Sequence, residues 1–233
     1  MASTGTPPPH RSAARAYRWR IVLFLAAALL ILLGFNMLYR GLNTLVVLDR
    51  IEAERDQWQR PSTIIQALGL KDGDTVIDLG SGAGYFALKL SSAVDRRGHV
   101  LAVDIRRLPL TFLWIRALLR GEHNITVIHS EPEDPHLPAE AADAVLIANT
   151  YHEFSQPQTM LAHVFRTLRS GGRLVIADRA EQSGNESHHV AAQAVAADLR
   201  QGHFQLIARQ DRFIEERGGE VWWLLVAVKA AAP

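Results

Sequence analysis

The chain has 233 residues and a net charge of +1, with 21% charged residues, 48% apolar residues and no cysteine. No basic excess exists to neutralise phosphates, so nucleic acid is not an expected partner. The missing cysteines remove disulfides, thiolate zinc sites and cysteine nucleophiles together.

Residues 1–20 form a basic tail with Arg11, Arg15, Arg18 and Arg20, and residues 21–39 follow without a charge. As a helix that run spans about 28 Å, close to the hydrocarbon thickness of a bilayer. Trp19 and Tyr39 stand at its ends, where amphipathic aromatics favour the interface. A single-pass membrane anchor is therefore expected. A buried core helix lacks the polar face it would need, and a cleaved signal peptide would have a shorter apolar core and a small-residue cleavage site. Residues 40–60 read as a charged helical linker, and residues 61–233 as one domain, a length that one hydrophobic core can hold. Pro61 restarts the chain, with Ser62 as the expected N-cap of a helix over Thr63–Leu68.

Thereafter apolar strand runs alternate with helical spacing. Strands are expected at Thr75–Leu79, Val100–Val103, Ile125–Ile128, Ala144–Ala148 and Arg173–Ala177, and finally at Phe204–Ala208 and Val221–Val228. Helices are expected at Tyr85–Val94, Leu110–Leu119, Pro157–Leu168 and Val190–Gln201, with turns at Gly171-Gly172 and Arg217-Gly218-Gly219-Glu220. Short, fully apolar strands separated by helices predict an α/β fold with a mostly parallel sheet covered on both faces. The last two strands are expected to be antiparallel, and Trp222-Trp223 to send one ring to each face.

The chemistry concentrates at strand ends. The first strand ends in Asp78 and runs into Gly80, Gly82 and Gly84, so backbone can approach a ligand closely and a helix N-terminus points at it. Asp104 ends the second strand, where an acid can accept both hydroxyls of a ribose. Together they point to an adenosine-containing ligand. Glycine spacing alone leaves the cofactor class open. Counted from Gly80, a dinucleotide fingerprint fails at Tyr85; counted from Gly82, it passes at Ala87. An acid at Asp78 suits a cation and is poorly placed beside a pyrophosphate.

Val76-Ile77-Asp78-Leu79-Gly80-Ser81-Gly82-Ala83-Gly84-Tyr85-Phe86 resembles the first motif of class I S-adenosyl-L-methionine-dependent methyltransferases. Val100-Leu101-Ala102-Val103-Asp104-Ile105 resembles their second. Leu168-Arg169-Ser170-Gly171-Gly172-Arg173-Leu174-Val175-Ile176 resembles the turn and fifth strand, with Ser170 in place of the usual proline. The likeness covers about residues 50–230 and is similar to the ubiquinone/menaquinone-biosynthesis type, with Trp58-Gln59-Arg60-Pro61 upstream. It implies a three-layer α/β/α Rossmann-like sandwich with a seven-stranded sheet in the order 3-2-1-4-5-7-6, strand 7 antiparallel. It further implies that Asp78 meets the methionine end of S-adenosylmethionine and that Gly80, Ser81, Gly82 and Gly84 line it. Asp104 would hold the ribose and Ile105 would pack on adenine. Where relatives carry Gly-Asp-Ala after the third strand, this chain has Ser130-Glu131-Pro132. Glu131 can accept the adenine amino group, Pro132 lacks the N–H that alanine offers, and Glu133 and Asp134 are nearby substitutes.

Asn149-Thr150-Tyr151-His152-Glu153-Phe154 follows the fourth strand, where this fold faces the transferring methyl group. Asn149 is an expected contact of the cofactor's amino or carboxylate group, through its backbone carbonyl or side chain. His152 is either the base for an acceptor that must lose a proton or a structural histidine bonding the loop backbone. Glu153 reads as a solvated or loop-capping residue. His188-His189 is a surface pair or a substrate contact; with His152 and Glu153 its spacing has no metal signature, and no metal is expected. The expected function is methyl transfer to a small-molecule acceptor, lipophilic or membrane-associated in view of the anchor. The alternatives are a non-catalytic membrane-tethered module on the same fold and a nicotinamide-dependent oxidoreductase. For orientation, four arginines before the span against Arg40, Arg50 and Arg55 after it place the N-terminus inside. The need for S-adenosylmethionine places the domain in the cytoplasm and outweighs a one-arginine difference.

Overall fold

A computed structural model describes residues 11–180, 190–215 and 221–230. His188, His189 and the turn expected at residues 217–220 lie outside them. The chain divides into two compact units, Met1–Asp49 and Arg50–Pro233. From residue 11 through the apolar run and most of the linker the backbone is one helix, α1 (Arg11–Trp58). No proline interrupts it, and its Gly34 and Gly41 have open space around them. The helix is long and apolar enough to cross a membrane, and none of its most apolar window is buried against protein.

In the second unit α2 (Pro61–Ala67) begins one residue before the expected cap. Pro61, with no N–H to lose and φ already helical, takes the first helical position. Ser62 therefore sits inside the helix and Arg60, at φ 53°, precedes it without a side-chain cap bond. There follow β1 (Thr75–Leu79), α3 (Tyr85–Ala93), β2 (His99–Asp104), α4 (Arg107–Arg120), β3 (Ile125–His129), β4 (Ala142–Ala148), α5 (Pro157–Thr167), β5 (Leu168–Arg179), α6 (Ala192–Gln201), β6 (Phe204–Glu215) and β7 (Val221–Lys229).

The sheet order is β3-β2-β1-β4-β5-β7-β6, as the resemblance implied. Strands β1 to β5 pair in parallel, and β7 runs antiparallel to β5 and β6. Alternation along the strands sends Val76, Val100 and Leu146 to one core and Ile77, Leu101 and Val145 to the other. Trp222 and Trp223 divide the same way. Two elements run longer than expected. β5 contains Gly171 (φ +76°), where its register with β4 shifts. β6, an edge strand with two register shifts against β7, continues through the exposed Arg209-Gln210-Asp211-Arg212, with the charge that edge strands carry.

Chain order reverses between β1 and β4, which lie side by side. The crevice beyond their carboxyl ends is where open α/β sheets bind ligands.

Candidate functional site

That crevice gathers the residues singled out in the sequence. The loop from Gly80 to Gly84 lies between β1 and α3. Gly80 and Ser81 donate their N–H groups to Val103 O at 2.8 and 3.0 Å, clamping the loop to β2. Gly80 has φ +84°, and a Cβ there would lie 2.3 Å from both Oγ1 and Cγ2 of Thr150. Gly84 has φ +96°, and its Cβ would meet Leu113 at 2.3 Å. Side chains at these two positions would collide with the next layer as well as strain the backbone.

Asp78 and Asp104, both buried, differ in what they lack. Asp104 is saturated. Its Oδ2 accepts the Gly82 N–H at 2.8 Å and Arg106 Nη2 at 3.4 Å, and its Oδ1 accepts the Arg106 N–H at 2.8 Å and Arg106 Nε at 3.2 Å. A carboxylate offers about four acceptor sites. A ribose reaching Asp104 therefore competes with the Arg106 guanidinium, which is more than half exposed and can yield. Asp78 is not saturated: one oxygen takes the Ala87 N–H, and Oδ2 has no partner. Burial pushes its carboxyl up to about 7; neighbouring Asp104 adds to the rise, while the Ala87 N–H and Arg55 oppose it. Ser81 Oγ is a second buried oxygen without a partner. An unpartnered buried carboxylate oxygen beside a glycine cradle suits an ammonium group. The donor set thus fits S-adenosylmethionine.

Ile105 follows β2 and is about half exposed, an open apolar surface. The loop after β3 is tied to it, since Ser130 N–H donates to Asp104 O at 3.1 Å. Glu131 is on that loop and largely exposed, its Oε1 3.9 Å from His136 Nε2. Glu133 instead accepts a bond from Gln156.

Asn149 directly follows β4, at φ 56°, and its Oδ1 accepts Arg179 Nε at 2.9 Å. His152 lies on a single 3-10 turn, Tyr151–Glu153. Its imidazole is buried; Nδ1 is 2.8 Å from Asp178 Oδ1, and its backbone N–H donates to Asp178 Oδ2 at 3.2 Å. The histidine ring thus has a fully buried carboxylate as a partner. Glu153 Oε1 is 3.9 Å from His152 Nε2. Its charge also reaches Arg106, whose pKa is raised chiefly by the bond to Asp104.

Several site residues escaped the sequence reading. Asp178 ends β5 as Asp78 ends β1 and Asp104 ends β2, so the same signal marked it. Glu52 and Arg55 read only as linker charges. Glu52 pairs with the buried Arg116 of α4 at 2.7 Å, and Arg116 Nη1 also donates to Ala83 O of the glycine loop at 2.6 Å. Arg55 lies 3.8 Å over the Tyr85 ring, bonds Gln59 Oε1 at 2.8 Å and bears on Asp78. Among the described residues no cluster of three or more metal-binding side chains is present.

Comparison with known proteins agrees with this geometry. The chain matches the model of the ubiE/COQ5 methyltransferase family over residues 37–199. It is 30% identical over 122 residues to a ubiquinone/menaquinone biosynthesis C-methyltransferase UbiE of Vibrio vulnificus, a match spanning 51% of this chain and 45% of that protein. A UbiE of Pseudomonas putida is 31% identical over 120 residues, spanning 51% and 46%. The chain thus spans less than half the length of these relatives. Among solved structures, a SAM-dependent methyltransferase from Aquifex aeolicus superposes with a TM-score of 0.65 at 25% identity, over 73% of this chain and 89% of that one. The [4+2]-cyclase SpnF has the same fold, with a TM-score of 0.65 at 16% identity over 75% and 81%. With a family match across more than half its length and a cradle suited to S-adenosylmethionine, this chain belongs to the ubiE/COQ5 methyltransferase family.

Proposed function

We propose that the chain transfers a methyl group from S-adenosylmethionine to a lipophilic small molecule, with residues 21–39 as a single-pass anchor and the domain in the cytoplasm. The observation that carries the donor is Asp78 Oδ2, buried without a partner at the glycine loop. The sulfonium supplies an activated methyl whose transfer is an in-line displacement; the acceptor gains the new bond as the carbon–sulfur bond breaks. The domain's part is then alignment and exclusion of water.

His152 supplies a proton acceptor. With Nδ1–H donated to Asp178, the neutral tautomer leaves its lone pair on Nε2. Such a base matters only for an acceptor that loses a proton, as an aromatic carbon does on methylation. The relatives are named for C-methylation in ubiquinone and menaquinone biosynthesis, and a quinone-like ring is the acceptor class adopted here. Glu131 and Ile105 complete the adenine end of the site.

The decisive experiment incubates membrane extract with labelled S-adenosylmethionine and identifies what becomes labelled. A labelled lipid-soluble ring compound is expected. Binding of S-adenosylhomocysteine with no labelled acceptor in any extract would instead favour a non-catalytic module. For orientation, single cysteines in the domain should stay unlabelled by a membrane-impermeant reagent in intact cells.

A further inference from the structure

The apolar residues of α4 are distributed abnormally for a helix covering a sheet. Leu110, Leu113 and Ala117 face the core, yet Leu108, Trp114, Leu118 and Leu119 are 58–71% exposed, and Ile105 just before the helix is 48% exposed. From Arg50 onward, only two other large apolar side chains are as exposed among the described residues, Ile51 and Ile207. At 100° per residue, Leu108, Thr111, Trp114, Leu118 and Leu119 fall on one arc of roughly 140°, opposite the buried side. A helix apolar on both faces has two surfaces to cover, and the sheet covers one. Beside the exposed arc a groove of ≈ 450 Å³ opens toward the edge strand β3, lined by Arg107, Leu110, Thr111, Trp114, Val127 and His129.

We propose that this outer face of α4 lies in the headgroup region of an anionic lipid bilayer, making a second membrane contact; the inference rests on the reading of residues 21–39 as an anchor. Charge selects the occupant. Arg107 heads the exposed arc and lines the groove together with His129. Glu122, beyond the helix end, bonds Ser91. A second copy of the chain paired about a two-fold axis would bring these basic groups against one another. Anionic headgroups complement them, and Trp114 supplies the amphipathic ring favoured at the interface. The tether makes a weak contact sufficient, because it converts surface binding into an intramolecular event.

The cysteine-free chain makes the test direct. The full chain, carrying one cysteine at a time (Leu118→Cys, Leu30→Cys or Gln205→Cys), is labelled with an environment-sensitive thiol fluorophore. It is reconstituted in vesicles of phosphatidylglycerol and phosphatidylcholine containing nitroxide-labelled lipid. Quenching is expected at Leu30→Cys and Leu118→Cys and not at Gln205→Cys on β6. Adding Arg107→Ala, or omitting phosphatidylglycerol, should reduce the Leu118→Cys signal at least twofold and leave Leu30→Cys unchanged. Quenching at Leu30→Cys without quenching at Leu118→Cys overturns the second contact and leaves the anchor standing. No quenching at either position removes the anchor and the inference with it. Energy transfer between Leu118→Cys labels on different copies, without lipid quenching, gives the face to a second copy and also overturns the proposal.

Discussion

Cofactor affinity should rise with pH through the titration of Asp78. The buried carboxyl is pushed up to about 7, burial being the largest cause. Only the ionised form attracts the ligand ammonium. At pH 6 about a tenth of the unliganded molecules carry that charge and at pH 8 about nine tenths, so affinity should rise about tenfold across the interval. Binding at pH 6 should release about 0.9 proton and at pH 8 about 0.1. Calorimetry with S-adenosylhomocysteine in buffers of different ionisation enthalpy measures both quantities. Asp78→Asn should weaken binding and flatten the profile. Arg55→Met should move the midpoint upward, because Arg55 favours the ionised form. The sign for the empty domain is opposite. A folded carboxyl that binds its proton more tightly than the unfolded one stabilises the fold fully below the ordinary carboxylate range. That contribution is lost as pH rises through about 7. Affinity that stays level from pH 6 to 8, or an Asp78→Asn variant that keeps the slope, would refute the assignment.

Gly80→Ala should abolish cofactor binding and lower Tm, because its Cβ meets Thr150 at 2.3 Å; Gly82→Ala, whose nearest neighbour is Arg106 at 4.0 Å, should cost only about 1 kcal/mol of backbone strain. Thermal melts of the two variants decide this. Glu52→Leu removes the carboxylate facing the buried Arg116 guanidinium and should cost about 3 kcal/mol in denaturant unfolding, whereas Glu52→Leu with Arg116→Met should recover most of it. Asp178→Asn should leave cofactor affinity near wild type while turnover falls about 100-fold or more, and nuclear magnetic resonance of His152 should show its Nδ1–H tautomer lost.

The parts of the fold legible in the sequence are those with local causes. Val76-Ile77 and Ala144 to Ala148 read as buried strands because every residue faces one core or the other. The end of β6 was missed because Arg209 to Arg212 are polar and exposed on a bulged edge, with no alternation to detect. Charge marked boundaries in residues 1–60 that the backbone of α1 ignores, since hydrogen bonds along a helix are indifferent to what its surface meets. The glycine loop and its two acids are contiguous signals. The contacts of Glu52 with Arg116 and of His152 with Asp178 join residues 64 and 26 apart, and no local pattern pairs them. Arg116 did leave a trace: a single charge among Leu113, Trp114, Ile115 and Ala117 requires a buried partner.

The two acids of the cradle select the cofactor more sharply than the glycines do. The glycine spacing admits a dinucleotide as well as S-adenosylmethionine. Asp104 has its lone pairs filled and can exchange the half-free Arg106 for neutral hydroxyls at little electrostatic cost. Asp78 has a buried lone pair unfilled, with a pKa already raised by exclusion of water. A pyrophosphate there would set negative charge against that carboxyl and hold it protonated, whereas an ammonium ionises it and fills the empty position. The sites are thus sorted by what each lacks, one needing a cation and the other tolerating hydroxyls. S-adenosylmethionine presents both, an ammonium on its methionine part and hydroxyls on its ribose. NADH presents only the hydroxyls, and calorimetry should find no binding of it where S-adenosylhomocysteine binds.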